Sequence, residues 1–279
     1  MIDVVSREYE LPKKVSKISE HGPARIVSMC NQKGGVGKTT STLSLAGAYA
    51  ELGRKVLIVD FDPQGAATVG LGINAYELDS TVYDLLVDSK LSIDDVIYAT
   101  DYKNIDIIPA NIDLSAAEIQ LVSEVARESI LKNILDPIRD RYDLILIDCQ
   151  PSLGLLTVNA LTASDGVLIP LAAEYFALRG VALLIDTIEK VQKRLNPNLE
   201  IDGIFATLFD NRTSHAHEVV ESIYGAWNDK LLHTVISRTV KFPDSTVAAQ
   251  PITVFEPKSK GAEQYRQLVL ELIAKGTLR

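Results

Sequence analysis

The chain has 279 residues, 47% of them hydrophobic, enough for one large α/β domain without requiring two. Its formal net charge of −9 excludes a globally basic nucleic-acid binder, although a local basic patch on an acidic protein is still sufficient to grip DNA. No apolar run approaches the ~20 residues of a membrane span, and no apolar signal segment follows the charged N-terminus, so a cytoplasmic protein is expected.

Residues 1–24 carry scattered charge (Glu8, Glu10, Lys13, Lys14, Lys17, Glu20) and little apolar periodicity, which predicts a flexible N-terminal tail before one folded domain over 25–279. That domain opens with a short apolar strand, Arg25–Asn31. The next residues, Lys33–Thr39, read KGGVGKT. A phosphate loop of the form GxxxxGK[ST] would have glycine at position 32, where this chain has Gln32; the remaining features are present. Thr40–Leu52 follows with helical apolar spacing and stops before Gly53. A glycine-rich turn between strand and helix aims successive backbone N–H groups, and the positive end of the helix, at one point. Gly34, Gly35, Val36, Gly37, Lys38, Thr39 and Thr40 are therefore the candidate nucleotide cradle. Lys38 would reach the β- and γ-phosphates and Thr39 would offer its hydroxyl to Mg²⁺.

Further along, Lys55–Asp60, Ile105–Pro109, Leu144–Asp148, Gly166–Pro170 and Ile201–Phe209 are predicted strands, with a short Thr234–Ile236 strand closing the set. Helices are expected near Thr81–Val87, Leu114–Leu135, Leu153–Ala163, Leu178–Leu195, His215–Trp227 and Gly261–Ala274. This alternation predicts an α/β fold, a mostly parallel sheet with helices on both faces, in a single-domain P-loop NTPase arrangement with its ligand at the carboxyl ends of the strands. Asp60 and Asp62 are two apart in extended chain and would face the same side. One could hold a magnesium-bound water and the other orient the attacking water; alternatively the pair caps the turn at Pro63–Gly65. Asp148 ends an apolar strand in the Walker B manner and would reach Mg²⁺ through a water, or else caps the following helix.

The string NQKGGVGKTT resembles the deviant Walker A motif of the ParA/MinD ATPases, which implies that Lys33 is their signature lysine, contacting nucleotide across a dimer interface. VDFDPQG resembles the family's switch I, implying a catalytic role for Asp62 and leaving Asp60 to the magnesium shell. Asp148 with CQPSLG resembles switch II, usually written DCPPSLG; Gln150 replaces a proline there, which is expected to place an amide near the γ-phosphate. Similar stretches continue through Pro170–Leu178, Thr207–Val219 and Ala249–Ile252, where Ala249 stands in a usual glycine place, so the resemblance covers about residues 25–275.

The resemblance implies ATP and Mg²⁺ as cofactors, a homodimer formed on ATP binding, slow hydrolysis stimulated by a ParB-like protein, and nonspecific DNA as partner. DNA would be held by Arg212, Arg238 and Lys241, in a segment RTVKFPDSTV that departs from the usual RNVRLSEAPS. Arg212 could instead pair with a neighbouring acid such as Asp210. The implied task is segregating or positioning chromosome or plasmid DNA, on the nucleoid of a bacterial cytoplasm. The alternatives are an orphan relative that positions the division machinery, and a nucleotide-switched interaction protein with no DNA role. MinD-like relatives end in a membrane-seeking amphipathic helix. Here Tyr265, Leu268, Val269, Leu272 and Ile273 form one apolar face, with Glu263 and Glu271 opposite and few basic residues, so a helix packed on the core is expected and the membrane is not.

Other relatives fit less well. A nitrogenase-type iron protein would need cluster cysteines in loops, whereas Cys30 and Cys149 fall at predicted strand ends and read as buried small hydrophobes. A superfamily enzyme that phosphorylates a small carboxylate is disfavoured by the DPQG and CQPSLGLLT segments. His21, His215, His217 and His233 make no triad or metal set.

Overall fold

The computed structural model describes residues 10–173, 177–210, 212–227 and 230–279. The strands are β1 (Arg25–Met29), β2 (Val56–Phe61), β3 (Tyr98–Ala99), β4 (Ile105–Ile108), β5 (Leu144–Cys149), β6 (Gly166–Ala172) and β7 (Glu200–Thr207). They form one sheet in the order β3-β4-β2-β5-β1-β6-β7, parallel throughout except for the edge pair β3–β4. Consecutive residues of the central strands feed opposite cores, as the pleat requires. Ile26, Leu57, Val59, Ile145 and Ile147 belong to one buried cluster, and Val27, Ile58, Leu144 and Leu146 to the other. Burial on both faces explains why these strands read as continuous apolar runs rather than alternating ones.

Eleven α-helical segments are present among the described residues: α1 (Lys38–Glu51), α2 (Ala66–Gly70), α3 (Val82–Val87), α4 (Leu114–Gln120), α5 (Ile130–Leu135), α6 (Leu155–Ala163), α7 (Ala177–Arg194), α8 (Ser214–Trp227), α9 (Lys241–Val247), α10 (Ile252–Phe255) and α11 (Lys260–Ala274). Residues from α3 to α7 cover the first cluster, while α1, α9, α10 and α11 cover the second. The expected core helix at the C-terminus is observed: Tyr265, Leu268, Val269 and Leu272 are buried against the second cluster. No helix among the described residues is long and apolar enough to cross a membrane.

Four expectations need correction. The single helix over Leu114–Leu135 is broken into α4 and α5, with Ala126 in the left-handed region at φ 54° between them. Asn159 on α6 accepts from Leu131 N and donates to Arg127 O, so a distant amide satisfies the groups freed at the break. The Thr234–Ile236 strand does not form; only isolated bridges join Leu231 to Ile204 and Ser237 to Phe209. Glu271, expected on the solvent face of α11, is fully buried, because its carboxylate accepts from the backbone N–H groups of His233 and Thr234. Residues 16–24, expected within a flexible tail, lie on the domain: Arg54 donates to Ser16 O, and buried Asp143 takes the His21 ring at 2.7 Å and the Gly22 N–H.

Candidate functional site

Three adjacent strands, β2, β5 and β1, bring the phosphate-site motifs together. Register pairs Met29 with Asp148 across β1–β5 and Asp60 with Asp148 across β2–β5. The loop after β1 therefore leaves the sheet beside both strand-end carboxylates, at the carboxyl edge where open α/β sheets bind ligands.

The loop is held from several sides. Asn31 accepts the Lys33 N–H at 2.9 Å and donates to Pro170 O at 2.7 Å, while Thr207 at the end of β7 donates its hydroxyl to Val36 O at 2.7 Å. Gly35 and Gly37 take φ of 72° and 87°, conformations open to glycine. A Cβ added to Gly34, Gly35 or Gly37 would meet nothing within 4 Å, so the loop backbone faces open space. Lys38 is buried and its Nζ donates to Lys33 O at 3.4 Å; Lys33 itself is exposed at the rim.

Behind the loop, Thr39 Oγ1 donates to Asp148 Oδ2 at 2.7 Å and Thr42 Oγ1 to Asp148 Oδ1 at 3.0 Å. Burial pushes the Asp148 carboxyl up to about 6, against the lowering effect of the two threonine hydroxyls and the Lys38 charge. Asp60 is also fully buried and stands behind the cleft wall, accepting both the N–H and the hydroxyl of Thr68. Burial, with the Asp148 charge adding to it, pushes Asp60 up to about 8. The two aspartates thus do not share one outlook. Asp62 lines the cleft while also accepting the Gln64 N–H, so the turn-capping reading and the cleft-facing one hold together. The donors near the loop are oxygens of Thr39, Asp148 and Asp62, a set suited to a small hard cation of the Mg²⁺ type. Among the described residues no group of three or more His, Cys, Asp or Glu could hold a metal ion.

A cleft of about 880 Å³ runs from Gly34 and Lys38 to α9. Its far wall is Val240, Phe242, Pro243, Val247 and Tyr265, with Tyr265 bonded to Ser41 at 2.9 Å and stacked edge-on against Phe242. This wall was not legible as a binding surface from sequence, because α9 is short and lies far from the loop in the chain. Its apolar face suits a nucleobase at one end of a site whose other end suits phosphates.

Of the candidate DNA cations, Arg238 is exposed on the cleft rim beside the end of β7, held there by its N–H to Phe209 O. Arg212 is 88% exposed and makes a two-pronged pair with Asp210, at 2.9 and 2.7 Å. Lys241 faces Glu256 at 3.6 Å. The structure gathers Arg212 and Arg238 around Asp210, whose carboxyl is held well below its usual range by Arg212 first and Arg238 after it. Asn211 and the stretch Glu174–Phe176 lie outside the described residues, as do the side chains of His215 and His217. Cys30 and Cys149 are buried free thiols with sulfurs 3.1 Å apart. The Gln150 amide, expected near the γ-phosphate, donates instead to Glu118 on α4 at 3.0 Å, and Gln150 is not among the residues that line the cleft.

Comparison with known proteins agrees with this geometry. A family model described as an AAA domain matches residues 24–201. An uncharacterized protein of Mycobacterium tuberculosis is 57% identical over 91% of this chain and 80% of its own length. The sporulation initiation inhibitor protein Soj of Bacillus subtilis is 47% identical over 90% of this chain and 99% of its own. Among solved structures, a cobyrinic acid a,c-diamide synthase from Mycobacterium smegmatis, with bound ADP and magnesium, superposes with a TM-score of 0.79 at 38% identity, covering 90% of this chain and 94% of that one. The chain belongs to the ParA/Soj family of deviant Walker A P-loop ATPases.

Proposed function

We propose that the protein is an ATP-driven switch that binds nonspecific DNA as a dimer and resets by slow hydrolysis, serving the segregation or positioning of chromosome or plasmid DNA. The observation that carries this reading is the convergence of the glycine loop, Lys38, Thr39, Asp148 and Asp62 on one edge of the sheet, opening on a cleft with an apolar far wall. ATP would lie with its phosphates on residues 34–40 and its base toward Phe242 and Pro243. Mg²⁺, held through Thr39 and Asp148, would supply charge neutralisation on the phosphates; Asp60, whose carboxylate is engaged by Thr68 behind the cleft wall, is left out of this shell. Lys38 would bind the β- and γ-phosphates, and Asp62 would orient the attacking water. Exposed Lys33 would reach the nucleotide of a second subunit closing face to face. Arg212, Arg238 and Lys241 would then meet DNA phosphates, and a ParB-like protein would speed turnover.

The likeness to a cobyrinic acid a,c-diamide synthase favours one second reading, an ATP-dependent synthase acting on a small carboxylate. One experiment separates the two. Purified Asp62→Ala protein is tested for binding to nonspecific duplex DNA with ATP and with ADP, at two salt concentrations. ATP-dependent binding that weakens with salt supports the DNA switch. Absence of binding by an ATP-loaded dimer removes the DNA role and leaves the synthase or a division-positioning relative.

A further inference from the structure

The segment from Ala110 to Glu118 touches both catalytic strand ends. At its start, the Ala110 N–H donates to Thr68 Oγ1 at 3.0 Å, and the same hydroxyl donates to Asp60 at 2.7 Å. At its end, on α4, Glu118 Oε1 takes the Gln150 amide at 3.0 Å, directly after the Asp148 strand. The same oxygen lies 3.5 Å from the Leu156 N–H, in the first turn of α6. That helix has Gly154 at its N-cap, no side-chain cap and no acid in its first turn, so a carboxylate from α4 supplies the missing negative end. Gly154 leaves room for this approach: its φ is ordinary, but a Cβ there would occupy the place of Glu118 Oε1 and push the carboxylate aside.

We propose that Glu118 is a positioning residue for hydrolysis, clamping Gln150 and the start of α6 and tying them through residues 110–118 to Asp60. The clamp explains how a chain with glutamine in place of the switch II proline keeps this loop in place. Proline would restrict the backbone by its ring; glutamine restricts it through a side-chain bond to a neighbouring helix. The role rests on the hydrolysis reading, because it assigns Glu118 to the geometry of a step rather than to nucleotide binding, and Glu118 is not a lining residue of the cleft.

The test compares wild type with Glu118→Ala, Gln150→Ala, the double variant, Glu118→Gln and Gly154→Ala. Three readouts are taken: ATP turnover, ATP affinity, and amide hydrogen exchange of residues 150–157. Glu118→Ala and Gln150→Ala are each expected to lower kcat about tenfold with affinity within about twofold, and to raise exchange in 150–157 by a similar factor. The double variant should be no worse than either single one, as expected of partners in one interaction. Glu118→Gln, which retains an accepting oxygen, should recover most of the loss, and Gly154→Ala should reproduce it by displacing Glu118 without removing it. Wild-type turnover together with unchanged exchange and kcat in Glu118→Ala would overturn the clamp while leaving the ATPase reading intact. A wild type that binds ATP without hydrolysing it would overturn the hydrolysis reading, and with it the role of Glu118. Additive losses in the double variant would reduce both residues to separate structural parts and overturn the coupling.

Discussion

Asp60 and Asp148 are register partners on neighbouring strands, and both carboxylates are fully buried in a protein whose nearby cation, Lys38, serves Asp148 rather than Asp60. In the nucleotide-free protein the neutral form of Asp60 is favoured, up to about 8. The folded chain then binds more protons than the unfolded one between about pH 4 and 8, so stability falls as pH rises through that window. Nucleotide-free protein at pH 8.5 is expected to be less stable than at pH 6 by on the order of 2 kcal/mol. Asp60→Asn should flatten the difference. Urea unfolding at the two pH values checks this, and stability that rises toward pH 8.5 would refute it.

Lys38 and Lys33 occupy the same loop with opposite exposure, one buried against the other's carbonyl and one on the rim. Lys38→Ala is expected to weaken ATP binding by at least about a hundredfold, since a buried charge-assisted phosphate contact is lost. Lys33→Ala should keep ATP affinity yet fail to form the ATP-dependent dimer. Fluorescent-nucleotide titration and sedimentation in the presence of ATP separate the two effects. Unchanged affinity in the first variant, or a normal dimer in the second, would remove the corresponding role.

Ala249 is not glycine, yet its φ of 53° lies in the left-handed region. The backbone is kept there by Ala249 N–H to Thr246 O and by Tyr102, whose hydroxyl donates to Ala249 O at 2.6 Å. A non-glycine residue in this region costs about 1–2 kcal/mol, of which about 0.5–1 kcal/mol is offset by the smaller entropy loss of alanine. Ala249→Gly is therefore expected to stabilise the protein by about 0.5 kcal/mol, seen as a raised urea midpoint with an unchanged slope. A lower midpoint would show that the strain has been relaxed elsewhere.

What the sequence made legible follows the range over which each feature is decided. The loop, the strand-end acids and the central strands are local: glycines at the turn, apolar runs, and an acid at the last strand residue carry their own signature. Features decided by distant partners were not legible. Glu271 reads as a solvent-facing acid on α11 because the N–H groups that bury it belong to His233 and Thr234, on an irregular segment with no pattern of its own. The break between α4 and α5 is satisfied by Asn159, and the sequence of 114–135 is helical enough to hide it. At Gln150 the departure from proline was visible, but its partner Glu118 was not, since the two residues meet only when α4 packs beside the end of β5.

The same limit applies at the candidate DNA surface, where the pairing of Arg212 with Asp210 decides what a phosphate would meet. Asp210 lies just beyond β7, and its carboxylate takes the Arg212 N–H and guanidinium together, with Arg238 alongside. If DNA phosphates compete for Arg212, the acid opposes them. Asp210→Asn should then tighten ATP-dependent DNA binding several-fold at low salt, while Arg212→Ala weakens it and reduces the salt slope by about 0.9. The exposed pair contributes little to stability, so neither variant is expected to unfold the protein. Filter binding across a salt series gives both quantities at once. Tighter binding by Asp210→Asn with a steeper slope would identify Arg212 as a phosphate contact restrained by its own neighbour. Weaker binding would mean that Asp210 holds the guanidinium in its working orientation, and would overturn the competition argument. An unchanged slope in Arg212→Ala would remove the residue from the DNA surface altogether.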